Sequence, residues 1–202
     1  MGLELGEGEG GPAALVIESS QTVETSLNMK AAGCVPAAFW YTMATMKETM
    51  NIISHSAAET HELACGLASL LEPDDVILLT GDLGAGKTQF AQGIAQGLGV
   101  AEVPTSPTFN IMIQYPGRLL LSHFDLYRLE DPLELEDIGF YEVLESGGVS
   151  VIEWGDKFPD DMPDELLEVC ISRNDDDTRT WQVTGVGSRG AALAAAWEAL
   201  LA

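Results

Sequence analysis

The chain has 202 residues, enough for one well-buried α/β domain with an appendage, and its 32 acidic against 9 basic residues leave a formal charge of −23. That balance repels phosphate backbones and anionic lipid, which excludes a broad nucleic-acid-binding face. The three cysteines, Cys34, Cys65 and Cys170, stand far apart with no C-x-x-C spacing, so neither a zinc site nor a disulfide framework is indicated and reduced, cytosolic thiols are expected.

Residues 1 to 49 show no sustained period and are rich in Gly, Ala, Ser and Thr. Glu4, Glu7 and Glu9 stand where a secretion signal would carry positive charge, and the moderately apolar stretch 31 to 46 is too short to span a bilayer and is interrupted by Pro36. A cytoplasmic protein is expected. The segment is expected to be a disordered extension, or the product of an early start codon with Met46 or Met50 as the native start. A small helix-bearing module is the alternative. The domain proper is expected over residues 50 to 202.

Its first expected element is a helix opened by the capping box Ser56-Ala57-Ala58-Glu59, with Leu63, Ala64, Leu67, Leu70 and Leu71 on one face. Pro73-Asp74-Asp75 turns the chain into Val76-Ile77-Leu78-Leu79-Thr80, whose unbroken apolar run predicts a strand buried on both faces of a parallel sheet. Gly81-Asp82-Leu83-Gly84-Ala85-Gly86-Lys87-Thr88 follows at once, a complete G-x-x-x-x-G-K-[ST] phosphate-binding loop. Glycines there let backbone N–H groups surround phosphate oxygens, Lys87 supplies a point charge to the β- and γ-phosphates, and Thr88 offers a hydroxyl to magnesium. A helix with Phe90, Ile94 and Leu98 on one stripe, beside Ala91 and Ala95, completes the strand–loop–helix context and adds its own N–H groups and positive dipole end. A bound nucleoside triphosphate with Mg2+ is the expected ligand.

Pro104 and Pro107 stiffen the next segment, where Thr105, Ser106 and Thr108 suit either a γ-phosphate sensor or plain turn chemistry. Residues 111 to 115 and 119 to 124 read as a β-hairpin across Pro116-Gly117-Arg118, with Asp125 at the strand end. Pro132 opens a short acidic helical stretch, Gly147-Gly148 breaks the chain, and Val149-Ser150-Val151-Ile152 is a strand closed by Glu153-Trp154. Residues 166 to 171 and 180 to 184 predict two further strands, and 191 to 201 a helix on strong alanine and leucine propensity.

A phosphate loop needs a metal partner and hydrolysis needs a group that orients water, so carboxylates at strand ends carry the next weight. Glu153 is placed to hold magnesium or polarise the attacking water, and Asp125 to serve the same ion, against the plainer reading of surface carboxylates in an acidic protein. His123 shares the strand face of Asp125 and reads as a packed or rim histidine rather than a base. Trp154 is core, or it packs near the nucleotide.

At these residues the chain resembles a known family. The segments GDLGAGKT at 81 to 88, SPTF at 106 to 109, HFDLYRL at 123 to 129 and VIEW at 151 to 154 match, in order and spacing, the bacterial tRNA threonylcarbamoyladenosine biosynthesis ATPase family, TsaE, formerly YjeE. The resemblance covers about residues 54 to 200. It implies a three-layer α/β P-loop fold with a mostly parallel central sheet and a β-hairpin. It further implies that Lys87 and Thr88 engage phosphates and magnesium, that Asp125 is linked to the metal, that Glu153 matters for hydrolysis, and that Ser106, Thr108 and Trp154 belong to the same site. The implied partners are the threonylcarbamoyl transferase subunit and its paralogue, which hold tRNA while this component binds and hydrolyses ATP. A small-molecule P-loop kinase is the competing class. Such enzymes clamp the transferred group with a lid of arginines, whereas Arg118, Arg128, Lys157, Arg173, Arg179 and Arg189 form no cluster in the sequence. A regulatory GTPase would need an N-K-x-D segment, which is lacking.

Overall fold

The computed structural model describes residues 17–20, 49–105, 107, 110–174 and 178–202, the first group through its backbone alone. Among the described residues, eight strands form one sheet: β1 Ile17–Ser20, β2 Thr49–Ser54, β3 Val76–Thr80, β4 Met112–Tyr115, β5 Leu121–Asp125, β6 Val149–Glu153, β7 Leu166–Arg173 and β8 Arg179–Val186, in the spatial order β1-β2-β8-β7-β3-β6-β5-β4. The centre, β7-β3-β6-β5, is parallel throughout. Both flanks are antiparallel, with β4 on β5 at one end and β8, β2 and β1 in succession at the other.

All five residues of β3 are buried, because both faces of the sheet are covered. Ile77 and Leu79 enter a cluster with Leu67, Phe90, Ile94 and Leu193, the face covered by helices α1 Ala57–Ala68, α2 Lys87–Gly97 and α5 Gly187–Leu201. Val76 and Leu78 enter a second cluster with Phe124, Leu135, Phe140 and Ile152, under the short helices α3 Leu133–Asp137 and α4 Phe140–Leu144. The result is the three-layer α/β fold that the motifs implied, hairpin included. Phe90, in the first turn of α2, lies between two indoles, 4.9 Å from Trp181 and 6.0 Å from Trp197 between ring centroids. Helices α1 and α2 approach so closely that a Cβ at Gly93 would stand 2.5 Å from the carbonyl oxygen of His61.

Local chemistry sets the boundaries. Ser56 Oγ accepts from Glu59 N at 3.1 Å, as the capping box predicts, while Glu59 Oε2 accepts from His55 N at 2.7 Å, one residue ahead of the cap. That helix is not the first element of the fold, because β2 precedes it with Met50, Ile52 and Ser54 turned inward. Strand β4 begins at Met112 rather than 111 because Ile111 is left-handed, with φ 62°. Strand β5 begins at Leu121 because the turn before it is tied elsewhere: Arg118 N donates to Leu98 O at 2.6 Å, and Leu120 O accepts from Val149 N at 2.8 Å. The acidic stretch after Pro132 resolves into two helices parted at Gly139, φ 67°, and α5 starts at Gly187 rather than 191. Of residues 1 to 49, Ile17–Ser20 pair with β2 and Thr49 opens it, and the remainder lies outside the described residues. No described helix is long and apolar enough to cross a membrane.

Candidate functional site

The chemistry gathers at the carboxyl ends of β3, β5 and β6, where an open parallel sheet presents its crevice. Strand β3 delivers the phosphate loop and α2 carries it away. Gly81 has φ 125°, and a Cβ there would lie 2.2 Å from Ile171 O, so only glycine lets the loop leave the sheet at this point. Gly84 and Gly86 have φ of 80° and 119° with nothing within 4 Å of an added Cβ, so the loop bows into open space. The cleft it faces measures about 360 Å³ and is bounded by the loop, Gln89, Asp125, Tyr127, Glu153 and Trp154.

Lys87 is nearly buried and curls back on its own loop, donating from Nζ to Gly81 O at 2.7 Å and Asp82 O at 3.0 Å. Its ammonium also lies 3.9 Å from the centroid of the Trp154 ring. Burial lowers its pKa from the ordinary lysine value, opposed in part by the negative charges of Glu153, Asp125, Asp156 and Asp82. Trp154 reaches this position through a left-handed backbone, φ 65°, a conformation that costs a bulky residue on the order of 1–3 kcal/mol. Tyr127 packs against the same indole at 5.1 Å.

Strands β5 and β6 run in register so that Asp125 and Glu153 are direct neighbours. Both are buried, at 4% and 3% exposure, in a protein whose other carboxylates are mostly at the surface. Asp125 Oδ1 accepts from Tyr127 N at 3.2 Å. Glu153 Oε1 accepts from Thr88 Oγ1 at 3.1 Å and pairs with His123 Nε2 at 3.0 Å. Lys87, Thr88, Asp125, Glu153 and Trp154 therefore line one cleft with Leu83, Gly84 and Gly86, while Gly81, Asp82 and Ala85 belong to the same loop without lining it. Thr105 is exposed, and Ser106 and Thr108 lie outside the described residues. Gln89 and Tyr127 line the cleft without having been singled out by sequence, and His123 is packed, as expected, with Glu153 as a partner that the sequence did not indicate. The signal for His123 was its spacing of two from Asp125, which puts both on one strand face, but its partner on β6, Glu153, is a tertiary fact.

The open bow of positive-φ glycines, the ammonium and the helix N-terminus fit a polyphosphate. Thr88, Asp125 and Glu153 offer only oxygen, the donor chemistry that magnesium takes. Among the described residues no three His, Cys, Asp or Glu side chains group as a metal cage, so an ion here would depend on phosphate and water for further ligands.

A family model described as threonylcarbamoyl adenosine biosynthesis protein TsaE matches residues 54–181. The chain is 44% identical over 132 residues to a tRNA threonylcarbamoyladenosine biosynthesis protein TsaE of Bacillus subtilis, covering 65% of this chain and 82% of that protein. A protein of the same description from Treponema pallidum is 41% identical over 122 residues, with 60% and 90% covered, and one from Streptomyces coelicolor is 40% identical over 138 residues, with 64% and 93% covered. The crystal structure of YdiB from Bacillus subtilis superposes with a TM-score of 0.67 at 34% identity, covering 76% of this chain and 96% of that one.

Proposed function

Because the chain belongs to the TsaE family, we propose that it is the ATP-binding and ATP-hydrolysing component of tRNA N6-threonylcarbamoyladenosine biosynthesis, acting in the cytoplasm on the transferase complex rather than directly on tRNA. The observation that carries the hydrolytic part is the buried Glu153 carboxylate, bonded to the Thr88 hydroxyl at the mouth of the phosphate loop. In this reading the loop amides and Lys87 bind the triphosphate, and Lys87 exchanges its two carbonyl partners for phosphate oxygens. Thr88, Asp125 and Glu153 would hold Mg2+, directly or through water. Bound there, the ion would neutralise charge developing on the β- and γ-phosphates. Glu153 orients a water for attack on the γ-phosphorus and accepts its proton, while phosphate departs from ADP. Trp154 and Tyr127 wall the cleft against bulk water.

The net charge supports docking on proteins, here the transferase subunit and its paralogue, over wrapping RNA. The kinase reading loses support from where the cations lie. Arg118 Nη2 donates to Ala68 O and Leu71 O, Lys157 Nζ to Tyr127 O and Leu129 O, and Arg189 is forked onto Asp75, so these three are engaged in holding the fold. Hydrolysis by the chain alone should be slow, with partners completing the site. The test is phosphate release from MgATP by the purified chain, with and without the two partner proteins. Marked stimulation is expected. Turnover that requires a small acceptor and ignores the partners would establish a phosphotransferase instead.

A further inference from the structure

We infer that His123 is a positioning residue for hydrolysis at this cleft, holding the Glu153 carboxylate in place through Nε2, an inference that rests on the ATPase reading above. His123 is wholly buried in β5, flanked in register by Ile113 of β4 and Val151 of β6. An imidazole there is a poor choice for packing alone, since burying a polar group without a partner costs about 1–3 kcal/mol by mutational measure. Only half of that cost is met: Nε2 lies 3.0 Å from Glu153 Oε1, while Nδ1 has no partner among the described residues. With Nε2–H as donor, Nδ1 is left with an unfilled lone pair, a milder defect than a stranded N–H. The ring therefore keeps one contact, and that contact is the carboxylate assigned to water.

Two donors meet on the same oxygen, Glu153 Oε1, and none of the described hydrogen bonds uses Oε2. Donors fixed on one oxygen set the rotation of the carboxylate plane and leave the other oxygen as the acceptor for a proton from water. Thr88 is the less constant of the two donors, because its hydroxyl is also the one a phosphate loop turns toward its metal. His123 has no such second task. Its strand is paired on both sides, by β4 and by β6.

The experiment is steady-state MgATP turnover by the full chain with its partner proteins, comparing wild type, H123L and H123Q, each checked by thermal melting. Loss of the donor in H123L should lower kcat on the order of 10²-fold, the effect of a small misplacement of a reacting group, with KM for ATP within about threefold. Glutamine, whose Nε2 donates at a similar reach, should restore kcat to within about threefold of wild type. Wild-type kcat in a folded H123L, or a rise in KM that accounts for the whole loss, overturns the inference. Should leucine unfold the core, H123N takes its place: the shorter amide sits where Nδ1 was and falls short of Glu153, so kcat should drop as for H123L, and wild-type kcat in a folded H123N overturns the inference. A wild-type chain that turns over no ATP in any combination removes the ATPase reading and this inference together, whereas an active wild type with an equally active H123L removes only the latter.

Discussion

Lys87→Ala should weaken MgATP binding by about 30-fold, far less than the loss of two phosphate contacts would suggest. Charge-assisted hydrogen bonds contribute roughly 1.5–3 kcal/mol each, and those to ionised phosphate oxygens belong at the top of that range, so two of them amount to about 6 kcal/mol. The free lysine is already engaged, however. Its bonds to Gly81 O and Asp82 O go to neutral carbonyls, at the bottom of the range, and together hold about 3 kcal/mol. Its contact with the Trp154 ring at 3.9 Å holds about 1 kcal/mol more. The difference is about 2 kcal/mol, which corresponds to the 30-fold change. Calorimetric titration of MgATP into the wild-type and K87A proteins measures it, and tryptophan emission gives an independent reading, since the ammonium is expected to leave the Trp154 indole on binding. An unchanged Kd would refute the assignment of Lys87 to phosphate. A loss beyond about 10³-fold would refute the offset by the carbonyl and indole contacts.

Glu153→Gln should lower kcat by about 10²–10⁴-fold, as for a lost general base, with ATP affinity within about threefold of wild type, and equal turnover in phosphate-release assays would remove Glu153 from that role. As pH rises toward 10.5, the free protein should surrender the Lys87 proton earlier than an ordinary lysine does, because burial lowers its pKa, so Kd for ATP should increase with pH; a Kd that stays flat all the way to 10.5 contradicts this. The sign for folding is opposite: the unfolded chain holds that proton to higher pH, so this group's contribution to stability rises through the same window and is greatest above 10.5. Arg189→Ala should destabilise the fold by about 2–3 kcal/mol, or roughly 5–10 °C in Tm, by stranding the buried Asp75 that the guanidinium grips at 2.7 Å through both Nε and Nη2; a shift under about 2 °C by calorimetry would show the pair to be dispensable.

Two strands of the parallel centre, β3 and β6, were legible because they have period-free apolar runs, VILLT and VSVI, bounded by turns, and because the glycine spacing of the phosphate loop demands a strand before it and a helix after. Strand β2 was not. In TMNIIS the inward residues are Met50, Ile52 and Ser54, and the serine breaks the apolar alternation while accepting from Trp181 Nε1 at 2.9 Å, 127 positions away. No local pattern encodes such a partner. Glu153 and Asp125 stood out as strand-ending carboxylates, whereas the buried imidazole beside them resembled core. What separates a core histidine from a site histidine is which side chain the adjacent strand presents, and that follows from the β5–β6 register.

The seating of Phe90 between Trp181 and Trp197 anchors the first turn of α2 in the core. Lys87 and Thr88 begin the same helix whose first turn carries that ring, so the amides of α2 should exchange with solvent deuterium only when the core itself opens. Nucleotide would then protect amides in β8 and α5, far from any phosphate, by the same free energy with which it stabilises the fold. Occupancy of the cleft becomes readable as deuterium uptake at the opposite flank of the sheet.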